Sequence, residues 1–509
     1  MNDSGLINPV YLTGEYAMGF RRTLAGGGEF SIPFPHFFLP HFLISKQFVT
    51  KLRSELQTAH FSRKENDLYS LSQTDDLASF NASEYPSLVK FRDLFKTDVL
   101  QWLRNVSGFD LNSEVAITGS SYDFTDLLLP HDDQCEGRKF AFTFYLTPDW
   151  DETDGGQLLL YECDDNNEPT MAVQFITPME NLLVLFEVSP RSWHMVTEVL
   201  SEKRRLSLHG WFHHTAFNIP NEIKLSLSEE RLKPHTNITY EEVLEWINPE
   251  YINPLQQSKI QAIFEEKSEI CLFSFISEDK LESILEELDN ACFENYGPPN
   301  KRKLERLREC FLPEDGDTVS LLRLIRSCAM TLLLSQWTGL PLHSADNDNG
   351  SGPDAKKKKV DGELENDTSY EGIEFTSVVY RVLSGSYTMV DDEIFGETEK
   401  LGCCLDFNLF LSPNEWNDEY GGFISYFTKN EEDEVLRVSP VRNSAALVFR
   451  EPGVYPFMKY LNCKAFRNYY YMISCSFYGF TPDECSAGES EGSLGSADVE
   501  DADKAGPSS

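Results

Sequence analysis

Several stretches of this 509-residue chain occur twice, in the same order, and a chain built that way is constrained to fold as two similar units. LISKQFVTKLRSEL (Leu43 to Leu56) can be laid over FISEDKLESILEEL (Phe275 to Leu288). Both offer a serine as N-cap, followed by apolar residues three or four apart, the pattern of an amphipathic helix. Farther on, DGGQLLLY (Asp154 to Tyr161) lies over YGGFISYF (Tyr420 to Phe427), and NLLVLF (Asn181 to Phe186) over SAALVF (Ser444 to Phe449). A chain of this length exceeds one ordinary hydrophobic core, so two domains are expected on size alone.

Within each copy the later part reads as short strands. In the first they are Glu114 to Thr125, Lys139 to Thr147, Gln157 to Glu162, Met171 to Ile176, Asn181 to Glu187, His194 to Leu200 and Arg205 to His213. β-Branched and aromatic alternation between Asp, Gly, Asn and Pro turns predicts a two-sheet jelly roll with helices packed outside. The fold expected is mainly β with flanking helices (α+β): two tandem double-stranded β-helix domains, the first catalytic and the second not. The divisions are an N-terminal extension over 1–30, a catalytic domain over 31–235 and a connecting segment with helices of the second domain over 236–343. A disordered linker over 344–372, a jelly-roll core over 373–480 and a disordered acidic tail over 481–509 complete the chain.

The chain has 83 acidic against 44 basic residues, a net charge of −39. That charge repels nucleic-acid phosphate and suits a basic protein partner, so no direct nucleic-acid contact is expected. No basic-then-apolar leader opens the sequence and no apolar run is long enough for a membrane span, so a soluble protein is expected. Eleven scattered cysteines, without a zinc-type pairing, fit reduced thiols in cytoplasm or nucleus. Lys356, Lys357, Lys358 and Lys359, inside the linker, read as a nuclear import signal, which places the protein in both compartments. GPPNKRK (Gly297 to Lys303) reads as an exposed basic turn.

The chemistry concentrates in YDFTDLLLPHDDQCEGRKFAFTFYLTPDW (Tyr122 to Trp150), where His131 and Asp133 lie just beyond a strand, spaced to converge on one ion. His194, opening a later strand, is the third candidate ligand. Two imidazoles and a carboxylate on one face leave positions open, the set suited to non-haem iron(II) activating oxygen. Arg205 follows on the next strand, and an inward cation there needs an anion. The far carboxylate of 2-oxoglutarate supplies one, gripped bidentately, with Tyr145 as a second donor. His-x-Asp alone is a weak signal; the combination with a distant His and the following Arg is specific.

From Pro33 to His213 the chain resembles the prolyl hydroxylases of the 2-oxoglutarate/Fe(II) oxygenase superfamily. From about Pro33 to Phe480 it resembles more closely the ribosomal prolyl 3-hydroxylases, the OGFOD-like group. The matching runs are PFPHFFLPHFL, NDLYSLSQTDDL, YDFTDLLLPHDD, DGGQLLLY, VLFEVSPRSWHMVTEVLSEKRRLSLHGWFH, WINPEY, GPPNKRK and EYGGFISY. The resemblance implies metal ligands at His131, Asp133 and His194, and 2-oxoglutarate binding by Arg205 with Tyr145 assisting. It also implies Fe(II), 2-oxoglutarate and O2 as requirements, with ascorbate as a reductant. The implied reaction hydroxylates a proline at its third carbon in a basic decoding-centre protein of the small ribosomal subunit, releases succinate and CO2, and bears on translation accuracy and termination. Two alternatives stand beside it: the same chemistry on another protein side chain, or a translation-linked binding scaffold with a vestigial site.

All ten histidines lie at or before His343, so the second copy cannot build the same metal site. TMVDDE, around Asp391 and Asp392, stands there in place of LLPHDD, with Phe457 near the position of His194 and Tyr470 near that of Arg205.

Overall fold

The computed structural model describes residues 3–135, 137–215, 230–236, 238–343, 373–390, 402–428 and 434–480. The linker 344–372 with its four lysines, the tail 481–509, and Asp391 with Asp392 lie outside the described residues.

Eleven strands make up the first half: β1 (His36–Pro40), β2 (Ser62–Glu65), β3 (Tyr69–Asp76), β4 (Leu111–Tyr122), β5 (Leu127–His131), β6 (Arg138–Tyr145), β7 (Leu158–Cys163), β8 (Pro169–Ile176), β9 (Leu182–Glu187), β10 (His194–Val196) and β11 (Arg205–His214). They form one curled antiparallel sheet in the order β1-β9-β6-β11-β4-β3-β5-β10-β7-β8, with β2 on β3. The alternation along β11 explains how one strand serves two compartments. Leu206, Leu208 and Phe212 face helices and join a core with Phe91, Phe95 and Leu103, whereas Arg205, Ser207, His209 and Trp211 line the hollow inside the curl. The helix Lys46–Thr58 begins as its sequence predicts, Ser45 Oγ accepting the Phe48 N–H, and buries Phe48, Val49, Leu52 and Leu56. The described part of the N-terminal segment, from Asp3 on, is more than an extension, because Ile7, Tyr11 and Phe20 are buried in the same core.

The second half supplies β12 (Glu269–Phe273), β13 (Phe293–Tyr296), β14 (Arg302–Leu307), β15 (Glu374–Val382), β16 (Tyr387–Thr388), β17 (Cys404–Leu411), β18 (Ile424–Thr428), β19 (Leu436–Val438), β20 (Ser444–Arg450), β21 (Val454–Met458) and β22 (Tyr470–Tyr478). One sheet runs β12-β20-β17-β22-β15-β14-β13, with β16 on β14, and a smaller one runs β19-β18-β21. Put β12 for β1, β20 for β9, and so on in chain order, and the neighbours of the first sheet recur. The exception is the step between β16 and β21, which is bridged by the Met458 N–H donating to Thr388 Oγ1. Segment 236–343 thus brings three strands to this sheet besides its helices. Glu278–Asp289 is the helix matching Lys46–Thr58, although Ser277 makes no side-chain cap bond.

The halves meet along the outer face of β5 and β10. Leu127 and Leu129 pack with Tyr387 and Met389, and Leu68, Met195 and Tyr460 border the cluster. GPPNKRK is part of this junction instead of a free turn: Asn300 Nδ2 donates to Glu168 Oε2, and the Pro299 carbonyl accepts the Tyr387 hydroxyl. No helix among the described residues is long and apolar enough to cross a membrane.

Candidate metal and 2-oxoglutarate site

His131 does not lie beyond a strand, as its sequence suggested; it is the last residue of β5, a strand the surrounding Leu run concealed. There it pairs directly with His194 on β10. This pairing brings the two imidazoles side by side, with ring centroids 4.1 Å apart and planes tilted by 52°. Asp133 follows in a left-handed turn (φ 62°), a conformation aspartate tolerates, and its carboxylate turns back toward the Nε2 atoms of both rings. The ligand atoms of His131, Asp133 and His194 all lie within 4.8 Å of one another.

The protonation pattern suits a cation. Nδ1 of His131 lies 2.9 Å from the Leu129 carbonyl and Nδ1 of His194 2.8 Å from that of Ser192. A carbonyl only accepts, so each Nδ1 carries a proton, and Nε2 is the nitrogen left to face a metal ion. Those two atoms stand 3.7 and 3.5 Å from the Asp133 oxygens, too far for good hydrogen bonds. Burial pushes His194 down to about 4, with His131 adding to the effect, so its imidazole is neutral near pH 7. Burial alone would raise Asp133, but His194 and His131 beside it outweigh that, and the carboxyl lies below its ordinary value. Two imidazole nitrogens and one carboxylate, converging with no mutual hydrogen bonds, fit iron(II).

At the other end of the hollow Arg205 is 1% exposed. Its Nε donates to the Gly156 carbonyl at 2.7 Å, and its guanidinium lies over the rings of Tyr122 and Tyr145. Among the described residues no carboxylate pairs with it. Tyr145 Oη is buried toward the same guanidinium without a well-formed hydrogen bond; burial raises this phenol, so it remains a donor. A buried cation and a buried unpaired hydroxyl, side by side, await an anion. His131, Asp133, Tyr145, His194 and Arg205 therefore line one cavity of about 120 Å³.

The cavity holds further residues that the sequence reading missed. Ser207, His209 and Trp211 sit at alternate positions after Arg205 on β11, and that period was the available signal. His209 is pushed down to about 4 by burial and its Nδ1 lies 3.1 Å from Ser120 Oγ. Arg138 stacks on Trp211 at 3.6 Å and approaches Asp133 Oδ1 to 3.6 Å.

Residues 117–213 match the 2OG-Fe(II) oxygenase superfamily, and residues 239–484 match the family described as oxoglutarate and iron-dependent oxygenase degradation C-term. Over 462 residues, 86% of each chain, the sequence is 38% identical to Prolyl 3-hydroxylase OGFOD1 of Xenopus laevis. It is 30% identical over 498 residues to Prolyl 3-hydroxylase sudestada1 of Drosophila melanogaster, covering 91% of this chain and 87% of that one. A prolyl-4-hydroxylase of solved structure from Pseudomonas putida aligns at 18% identity over 36% of this chain and 93% of its own, with a TM-score of 0.31.

Proposed function

We propose, from the premise that this chain belongs to the prolyl 3-hydroxylase family of 2-oxoglutarate- and iron(II)-dependent oxygenases, that it hydroxylates the third carbon of a proline in the basic small-subunit ribosomal protein of the decoding centre. That it is a 2-oxoglutarate-dependent dioxygenase and a prolyl hydroxylase follows from the family; the ring position, the ribosomal substrate and an effect on translation accuracy and termination are the proposal. The observation that carries the chemistry is the cavity with a His-Asp-His set at one end and an anion-seeking arginine at the other.

Iron(II), O2 and 2-oxoglutarate, when bound, supply an oxidising centre while 2-oxoglutarate is decarboxylated to succinate. The protein's part is geometric. His131, Asp133 and His194 would hold the ion; Arg205 and Tyr145 would fix the distal carboxylate; Leu158 and Phe186 wall the cavity against water. The net charge of −39 favours encounter with a basic substrate and disfavours bare nucleic acid. We assign the second half a non-catalytic role as a tandem jelly roll, the lysine cluster Lys356 to Lys359 a role in nuclear entry alongside a cytoplasmic pool, and ascorbate the role of reductant.

The test is the intact mass of a peptide spanning the substrate protein's decoding-centre loop after incubation with the enzyme, iron(II), 2-oxoglutarate and air. A gain of one oxygen, absent with Asp133→Ala, is expected. Consumption of 2-oxoglutarate without that gain would discard the substrate, and no consumption at all would leave a binding scaffold.

A further inference from the structure

We infer that the second half positions the 2-oxoglutarate end of the first half's cavity, and that Glu198 is the positioning residue through which it does so. Glu198 follows β10 by two residues and is 7% exposed. The groups that hold its carboxylate come from the second half: the Cys463 backbone N–H donates to Oε1 at 2.7 Å, Tyr460 Oη lies 3.4 Å from Oε2, and the Cys463 thiol also reaches the carboxylate. Among the described residues no cation pairs with it, so these contacts satisfy a carboxylate otherwise costly to bury.

From Glu198 the connection runs inward without slack. Its backbone carbonyl accepts the Gly156 N–H at 3.0 Å, and the Gly156 carbonyl accepts Arg205 Nε at 2.7 Å. Gly155 and Gly156 both have positive φ, 69° and 61°. A Cβ on Gly155 would stand 2.1 Å from the Glu198 carbonyl oxygen, and one on Gly156 would stand 2.8 Å from Arg205 Cδ. The backbone passes between Glu198 and the arginine with no room for even a methyl group, so a shift of Glu198 is transmitted and not absorbed. Nearer the metal end, the same partner half covers Leu127, Leu129 and Met195, which lie on the two strands that carry His131 and His194.

The inference rests on Arg205 as the anchor of the distal carboxylate, and the experiment separates the two. The full chain, loaded with redox-inert nickel(II) in place of iron(II), is titrated with 2-oxoglutarate by calorimetry. Cys463→Pro removes both the N–H and the thiol that reach the Glu198 carboxylate. It should fold, because Cys463 opens a short helix, where proline is tolerated, and Asn462 already has the extended backbone (φ −81°, ψ 174°) that precedes proline. Binding should weaken about fivefold or more, the lower end of typical coupling between sites. Glu198→Ala should do the same, and Glu198→Gln, which keeps an acceptor for the N–H, should recover most of the loss. In turnover, KM for 2-oxoglutarate should rise while kcat at saturation holds. Glu65→Ala breaks another junction contact, the 3.0 Å pair with Lys459, away from Gly156, and should leave binding unchanged. Native affinity in both Cys463→Pro and Glu198→Ala overturns the inference, as does an equal loss in Glu65→Ala, which would mean general loosening. Arg205→Met serves as reference: if it binds 2-oxoglutarate normally, the anchor reading itself falls.

Discussion

Where the first half keeps a cavity, the corresponding strands of the second half close it, and the closure can be followed position by position. Arg205 corresponds to Tyr470, and the two make the same bond: Arg205 Nε donates to the Gly156 carbonyl, Tyr470 Oη to that of Gly422. Tyr145 corresponds to Phe410, Leu160 to Tyr426 and Ala141 to Asp406. Leu160 pairs with His194, and Tyr426 with Pro456, so proline replaces the imidazole, one residue before the Phe457 suggested by sequence. The hollow is filled by Tyr426 and by a buried pair, Arg450 Nε to Asp406 Oδ2 at 3.0 Å, which Ser476 Oγ joins at 2.6 Å. One scaffold thus leaves its inward charge without a protein counter-ion where a ligand is to come, and supplies the counter-ion itself where none is.

The largest expected effect tests the closed half. Asp406→Asn leaves Arg450 buried without its anion and should cost roughly 3–5 kcal/mol of stability, read from the denaturation midpoint. Burial alone would raise Asp406, but Arg450 outweighs it and holds the carboxyl below its ordinary 3.8. A depressed folded value contributes stability above the unfolded one and loses it as pH falls, so the native chain should weaken progressively below about pH 4, and the variant with a shallower slope. Identical slopes would mean the pair does not secure the second half. The open half should behave oppositely: Arg205→Met should weaken 2-oxoglutarate binding by about 3 kcal/mol, roughly a hundredfold, with little loss of stability in the ligand-free protein. A large loss of stability would show that the arginine is satisfied without ligand. Smallest is Tyr145→Phe, which installs the second half's residue. It should cost about 1 kcal/mol, near fivefold in 2-oxoglutarate affinity, measured by calorimetry on metal-loaded protein.

The candidate metal and 2-oxoglutarate residues were legible because chemistry restricts them: an imidazole pair, a carboxylate and an inward arginine on alternating strands have few other uses, whereas Ser207, His209 and Trp211 beside them carry no such signature. The repeat was legible because helix caps and glycine turns recur in order. β5 was not, since LLLPH has no alternation and its pairing partners lie more than fifty positions away in both directions. Nor could the junction be read, because Glu198, Tyr460 and Cys463 meet only once both halves have folded, and nothing local marks a glutamate as a bridge. Asp406 and Arg450 were unreadable for the same reason.

The junction has one more property. By strand order Leu127 corresponds to Tyr387, Leu129 to Met389 and Glu198 to Tyr460; the first four pack in one cluster across it, and Glu198 meets Tyr460 directly. A surface that meets its own copy is the signature of a two-fold axis, the isologous contact of a homodimer, here carried within a single polypeptide. Covalent linkage keeps the two partners at high effective concentration, so association cannot be lost to dilution. Under that condition one partner needs no metal site of its own to hold its place, and a second half without a single histidine after His343 is free to serve as a brace.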